Sequence, residues 1–296
     1  MINPTRHLRI LDCAPGIVAY YDGRVPGHRF APGPNWVDDG ALSLGIASYA
    51  IVDGSAALVY DTHVSVAHGA AIKADLLARG VVDITVVLSH CHLDHVAGTE
   101  AFAGCEIVAN HRTAQHLATD RAAIESGCNN GMPAINPLLL PTTAFHDKTV
   151  LTIGQTRVEL IEANIHSDDA TVLWLPDQGI LLAGDTVEDT VTYVGAPQDF
   201  AVHLTELDRL AALDPTCVLP NHGAPDVIAQ GGYSPALLPA TQRYIRWLSA
   251  LRNNPDAANV ALTDVLASDL AAGTLTYFAP YEEVHRQNIV RSLQPR

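Results

Sequence analysis

The run DITVVLSHCHLDHVAGTEAF, residues 83–102, constrains this chain more than any other stretch. It opens as a short β-branched segment, the pattern of a strand buried on both faces. At its end it crowds His90, His92, Asp94 and His95 into six positions. Imidazoles and carboxylates released together at the end of a buried strand need partners, and those partners should come from other strands that end near the same place.

The surrounding pattern supplies such strands. GIASYAIVDGSAALVYDTH predicts two strands joined at DGS, a hairpin. VAHGAAIKADLLARG predicts a helix that stops at Gly80. HVAGTEAF is expected to open a new helix, CEIVAN to form a strand and HRTAQHLATDRAAIESG a helix. The Pro- and Asn-rich stretch within 129–145 is expected to be a surface loop or lid. KTVLTIGQTRVELIEAN and ATVLWLPDQGILLAGD each predict a hairpin, and leucines 204, 207, 210 and 213 predict a helix. TCVLP is then a strand. In the tail, Ser234 and Pro235 are expected to start a helix running to about Asn253, and Thr263 to cap another that stops at Gly273. Strands alternating with helices in both halves predict two sheets stacked face to face with helices outside. That is a four-layer αββα sandwich of the α/β class. The expected organisation is one domain over 1–296, with about 230–296 a helical C-terminal extension.

Further metal-capable residues follow predicted strands: His166 after TRVELIEAN, Asp185 after ILLAG, His222 after CVLP. In α/β sheets ligands collect at such carboxyl ends. Neutral imidazoles and carboxylates suit zinc and similar divalent ions. His90, His92 and His166 could hold one ion. Asp94, His95 and His222 could hold a second, with Asp185 between the two.

HCHLDH resembles the H-x-H-x-D-H signature of the metallo-β-lactamase superfamily, and the later IH, GD and NHG follow in that superfamily's order. VYDTH resembles an upstream motif in which an aspartate, here Asp61, closes a strand; a supporting place beside the ligands is expected for it. The resemblance covers about residues 44–224 and implies the same sandwich. It also implies a dinuclear metal-dependent hydrolase, with zinc first and manganese, cobalt or iron(II) as alternatives. Its nucleophile would be a hydroxide shared by the two ions, and Asp94 would relay a proton. Tyr193 lies eight residues after Asp185. It is similar to the tyrosine with which lactonases of the superfamily assist the oxyanion, although the gap is longer here; a plain pocket- or core-lining role is the alternative. The expected substrate is a small lactone, ester or amide. The alternatives are a glyoxalase II-like thioesterase, an iron-dependent oxygenase of the same superfamily, and a non-enzymatic metal-dependent binder. Zinc β-lactamases differ in having cysteine or serine near the place of Asp185.

Composition narrows the partners. The net charge is −15, and Lys73 and Lys148 are the only lysines. No basic run exists, so nucleic acid and anionic membrane surfaces are excluded as expected partners. The five scattered cysteines form no Cys-x-x-Cys pair, which points to a reducing compartment. The N-terminus lacks signal-peptide character, and no apolar stretch approaches the ~20 residues of a membrane helix. A cytoplasmic protein is expected, as a homodimer if it follows many superfamily hydrolases. Cys91 is read as a packed small residue and His203 as a packing residue. His63, His68 and His146 are placed in loops at the rim. Arg243, Arg246 and Arg252 are the cations a glutathione-binding thioesterase would need.

Overall fold

A computed structural model describes residues 3–294. Its first sheet holds seven strands in chain order: β1 (Arg9–Ala14), β2 (Ile17–Asp22), β3 (Ile46–Asp53), β4 (Ala56–Tyr60), β5 (Asp83–Val87), β6 (Glu106–Asn110) and β7 (Thr143–Phe145). β1 to β4 pair antiparallel, and β4 to β7 pair parallel. Parallel neighbours need crossovers. Helix α1 (Val66–Ala78) supplies one, short α2 (Leu93–Val96) lies in the next, and α3 (His111–Ser126) is in the third. The second sheet contains β8 (Lys148–Ile153), β9 (Thr156–Glu162), β10 (Thr171–Leu175), β11 (Ile180–Gly184) and β12 (Cys217–Pro220). β8 to β11 form antiparallel hairpins, and α4 (Phe200–Ala211) carries the chain to β12, parallel to β11. The remaining helices are α5 (Pro225–Ala229), α6 (Leu237–Ala250), α7 (Leu262–Val265), α8 (Ala267–Ala271) and α9 (Tyr281–Leu293).

Alternation within the strands explains the layers. In β3 and β4, Tyr49, Ile51, Leu58 and Tyr60 face the second sheet, where they meet Leu160, Leu173, Leu182 and Leu219. The intervening Ala50, Ala57 and Val59 face α1 and α3, against Ile72, Leu76, Leu117 and Ile124. Side chains that alternate with period two thus serve two cores at once. Buried tyrosine hydroxyls need acceptors, and here they find them across the sandwich. Tyr21 donates to Gly223 O (2.9 Å), Tyr49 to Pro220 O (2.6 Å) and Tyr60 to Thr171 O (2.5 Å). Two of these acceptors flank His222.

Several expectations need correction. Strands do not alternate with helices throughout the second half: β8 to β11 follow one another directly, because two-sided burial of β10 and β11 needs only hairpin turns, not crossovers. HVAGTEAF is not one helix; α2 ends before Gly98, and a separate 3₁₀ turn covers Thr99–Phe102. Gly98 explains the break, since a Cβ there would sit 2.0 Å from Thr62 O. Ser234 does not cap α6, which begins at Leu237, and the segment from Thr263 to Gly273 is split at Leu266 into α7 and α8. The 129–145 stretch is irregular up to β7, which forms its last three residues. Among the described residues no helix is long and apolar enough to cross a membrane.

The Gly98 contact carries an expected result. Gly98→Ala should lower stability by about 1–3 kcal/mol, the usual range for overpacking, because backbone rather than a mobile side chain fills the space. A urea midpoint equal to that of the wild type would contradict the packing described.

Candidate metal centre

Four strand ends converge. His90 and His92 follow β5, His166 follows β9, Asp185 follows β11 and His222 follows β12. The turns that deliver them are tight: Gly184 has φ +58°, and a Cβ there would lie 2.7 Å from Tyr60 Oη. His166 itself adopts φ +68°, as do Asp61 (+67°) and His63 (+68°) nearby. Left-handed backbone at non-glycine residues is uncommon and persists where surroundings enforce it.

All seven residues expected as ligands come together in two adjoining groups. His90, His92, His166 and Asp185 form one, and Asp94, His95 and His222 the other. Asp185 Oδ2 lies 3.1 Å from His95 Nε2, 3.4 Å from His222 Nε2 and 3.7 Å from both His90 Nε2 and His166 Nε2. Asp94 Oδ2 lies 3.4 Å from His222 Nε2 and 3.6 Å from His95 Nε2.

The outer hydrogen bonds orient the rings. His166 Nδ1 faces Tyr193 O (3.2 Å), His222 Nδ1 faces Gly45 O (2.8 Å) and His95 Nδ1 faces Asp61 Oδ2 (2.8 Å). His90 Nδ1 faces Ser89 Oγ (2.8 Å), whose own hydroxyl donates to Asp61 Oδ2 (2.7 Å). Each of these acceptors assigns one imidazole proton to Nδ1 and turns Nε2 inward. Burial reinforces this at two rings. It holds His90 well below the usual histidine range and His166 down to about 3, so both stay neutral. At His95 and His222 burial acts the same way, but Asp185 and the other carboxylates prevail and push both up.

The consequence is a set of facing lone pairs. His92 Nδ1 is 2.9 Å from His90 Nε2 and 3.0 Å from His166 Nε2. One proton on His92 could serve one such contact, not both. Asp185 Oδ1 is buried with no partner. A buried carboxylate oxygen without a donor is costly. Nitrogen lone pairs aimed at one another beside such an oxygen are the arrangement a divalent cation resolves, and the N/O donor set suits one.

Asp61 stands behind the ligands. It is fully buried and accepts from Ser89 N, Ser89 Oγ, Asn221 Nδ2 and His95 Nδ1. Four further supports were not singled out from the sequence. Ser89 and Asn221 immediately precede His90 and His222, and that adjacency was the available signal. Asp169 accepts Cys91 N at 2.8 Å and so fixes the loop between His90 and His92. Glu188 is buried, accepts from Tyr193 N (2.9 Å) and Tyr281 Oη (3.1 Å), and is pushed up to about 8 by burial and then by Asp185. Its place three residues after Asp185 in the apolar and threonine-rich run DTVEDTVTYV was its signal, shared with the next residue, Asp189, which accepts from Tyr233 Oη (2.7 Å).

Other candidates fall elsewhere. Cys91 is a half-buried thiol raised by burial, which does not suit a nucleophile. His203 is buried with both ring nitrogens unpartnered, as a packing residue. His63 and His68 are not at a rim: both are buried and stacked at 4.5 Å, and His68 lies within α1, bonded to Asp22 (3.0 Å). His146 stacks on His111. Arg243 pairs with Asp269, and Arg252 donates to Ser292 O; neither they nor Arg246 line the cavity at the centre.

That cavity, about 1310 Å³, is lined by His92, Asp94, His166, Asp185 and His222 of the cluster. Its walls include Trp36, Leu42, Leu44, Met132, Phe278 and Val284. Tyr193 also lines it, its ring 5.7 Å from that of His166 and covered by Arg291 at 4.2 Å.

Comparison with known proteins agrees with this geometry. Residues 43–222 match the metallo-beta-lactamase superfamily. A linear primary-alkylsulfatase from a Pseudomonas species is 26% identical over 179 residues, 47% of this chain and 34% of that protein. A putative transcription factor, avaE, from Aspergillus versicolor is 27% identical over 137 residues, 43% of this chain and 40% of that protein. The chain thus spans well under half the length of these curated relatives. Among solved structures, a metallo-beta-lactamase from Pontibacter korlensis superposes with a TM-score of 0.62 at 19% identity, covering 81% of this chain and 99% of that one. VMB-1 superposes at 0.59 with 17% identity, over 82% and 98%. Such identities speak for the shared sandwich alone. With the family match covering more than half of its length, the chain belongs to the metallo-beta-lactamase superfamily.

Proposed function

We propose that the protein is a metal-dependent hydrolase that opens the lactone, ester or amide bond of a small molecule with an apolar body. The observation that carries this reading is the set of inward-facing nitrogen lone pairs of His90, His92 and His166 beside Asp185, in a cluster that lines a large cavity. His90, His92 and His166 would hold one ion, Asp94, His95 and His222 another, and Asp185 would serve both. Bound divalent ions supply Lewis acidity and an activated water, whose pKa they lower from 15.7 to about 7. Zinc is the expected metal from the donor set.

The chain's own residues do the rest. Ser89, Asp61, Tyr193 O and Gly45 O hold a proton on each outward Nδ1, which leaves each Nε2 as the face that would meet an ion. Asp94 is only partly buried, and its Oδ1 makes no hydrogen bond to the protein among the described residues. That oxygen would carry a proton to the leaving group. Tyr193 would donate its hydroxyl to the developing oxyanion, its ring held in place by Arg291. The cavity exceeds the roughly 300–1,000 Å³ of common ligand sites. The Trp36 indole N–H is already used on Pro133 O (2.9 Å), leaving its ring as an apolar wall. A substrate with a sizeable apolar body fits such walls better than a bare lactone ring. Arg243, Arg246 and Arg252 are absent from the lining, and the arginines that do line it are already engaged, Arg24 with Leu44 O and Asp189 O and Arg29 with Asp38 and Asp39, which counts against a glutathione thioester. The same apolar walls would also suit an alkyl sulfate, the substrate class in the alkylsulfatase relative's name.

The test is a turnover panel of acyl-bearing lactones, carboxylic esters, amides, thioesters, β-lactams and alkyl sulfates with the zinc-loaded protein. Lactone, ester or amide turnover is expected, rising with the size of the apolar portion. Tyr193→Phe should then lower kcat on the order of 10²-fold, the loss typical of one oxyanion donor, with KM little changed. Turnover of sulfates or thioesters alone would replace the proposed substrate class. No turnover of any kind would overturn the enzymatic reading.

A further inference from the structure

A second cluster of metal-capable side chains lies outside this centre. His116, on the exposed side of α3, has its Nε2 3.0 Å from Asp168 Oδ1. His116, Asp168 and Asp169 each offer a donor atom, and the three lie within 4.8 Å of one another. His116 and Asp168 are about half exposed, whereas Asp169 is fully buried. One carboxylate oxygen of Asp169, Oδ2, accepts the Cys91 N–H; the other, Oδ1, is buried and has no partner. That oxygen is the informative one. A fully buried carboxylate normally has both oxygens satisfied by donors or a cation, and the protein provides a donor for only one.

The backbone around the cluster is held independently. Asn110 Nδ2 and Thr113 Oγ1 both donate to Asp169 O, the latter at 3.0 Å, and Arg112 Nη1 donates to Asp168 O at 2.7 Å. The start of α3 therefore fixes the segment Asp168–Asp169 against His116 before any ligand arrives. Arg112, whose cation would oppose a metal ion, is already engaged by Glu162 at 3.3 Å.

We propose that His116, Asp168 and Asp169 form an additional divalent-cation site, separate from the central cluster. One imidazole nitrogen and two carboxylate oxygens make an N/O set that zinc accepts, and the exposure of His116 and Asp168 leaves room for water to complete the shell. Two of the three donors are anionic, so the ion would also relieve their mutual repulsion.

The test counts ions. Chelator-stripped protein is dialysed to equilibrium against saturating Zn²⁺, and bound zinc per chain is measured by elemental mass spectrometry. His116→Ala and Asp168→Asn are each expected to bind one equivalent fewer than the wild type. Asp168→Asn conserves shape and decides the matter if His116→Ala fails to fold, as monitored by circular dichroism. A folded variant that binds as much zinc as the wild type would overturn the site. The readout is a difference between wild type and variant, so it stands whatever the occupancy of the central cluster and whatever substrate the enzyme takes.

Discussion

Asp185→Asn should strip the centre of metal and lower kcat/KM on the order of 10³-fold, at the upper end of what one electrostatic group supplies to a transition state. Stability should fall as well. Asp185 Oδ2 faces four imidazole Nε2 atoms, and its charge pushes His95 and His222 up, so in the metal-free protein it is the counter-ion of those two buried imidazoles. Asparagine keeps the shape and removes that charge. The metal-free variant should therefore melt below the metal-free wild type, and zinc should raise its melting temperature far less. Elemental analysis and paired melting curves with and without zinc check both halves. Equal zinc content in variant and wild type would remove Asp185 from the ligand set.

The second large effect belongs to Asp61. Asp61→Ala would strand four buried donors, from Ser89, His95 and Asn221, and should cost about 3–5 kcal/mol, as breaking buried charged networks does. Alanine would also have to sit at φ +67°, adding about 1–2 kcal/mol. Asp61→Asn tolerates that backbone and should fold, but its amide would point donors at donors. His95 would lose the acceptor that keeps its proton on Nδ1. Metal affinity should fall about 10–100-fold, the usual cost of removing a partner behind a ligand. Urea unfolding of the alanine variant and a zinc titration of the asparagine variant measure these. If Asp61→Asn bound zinc with wild-type affinity, the orienting role would fail.

Much of this was legible in the sequence because it is local. The β-branched run before HCHLDH reads as a buried strand, and the residues after it, with His166, Asp185 and His222, each follow a recognisable strand. The alternation in β3 and β4 gives two faces, hence two cores. What could not be read depends on distant pairing. The helix expected through HVAGTEAF breaks because Thr62 O approaches Gly98, a contact between segments far apart in sequence. His68 looked like a loop residue at the rim and is instead sealed against Asp22 on β2. Glu188 looked like one more acid until burial and the hydroxyl of Tyr281 gave it a place behind Tyr193. Short helices α7 and α8 carry too few turns for periodicity to locate their ends.

The cavity walls have a further consequence. Trp36 and Leu42 precede the superfamily-matching region, residues 43–222, and Phe278 and Val284 follow it. Part of the cavity wall thus lies outside the stretch that carries the metal-capable residues, although Leu44 and Met132 lie within it. Exchanging the flanking segments should reshape the cavity while the clustered histidines and aspartates stay in place, which makes these flanks the natural place to redesign selectivity.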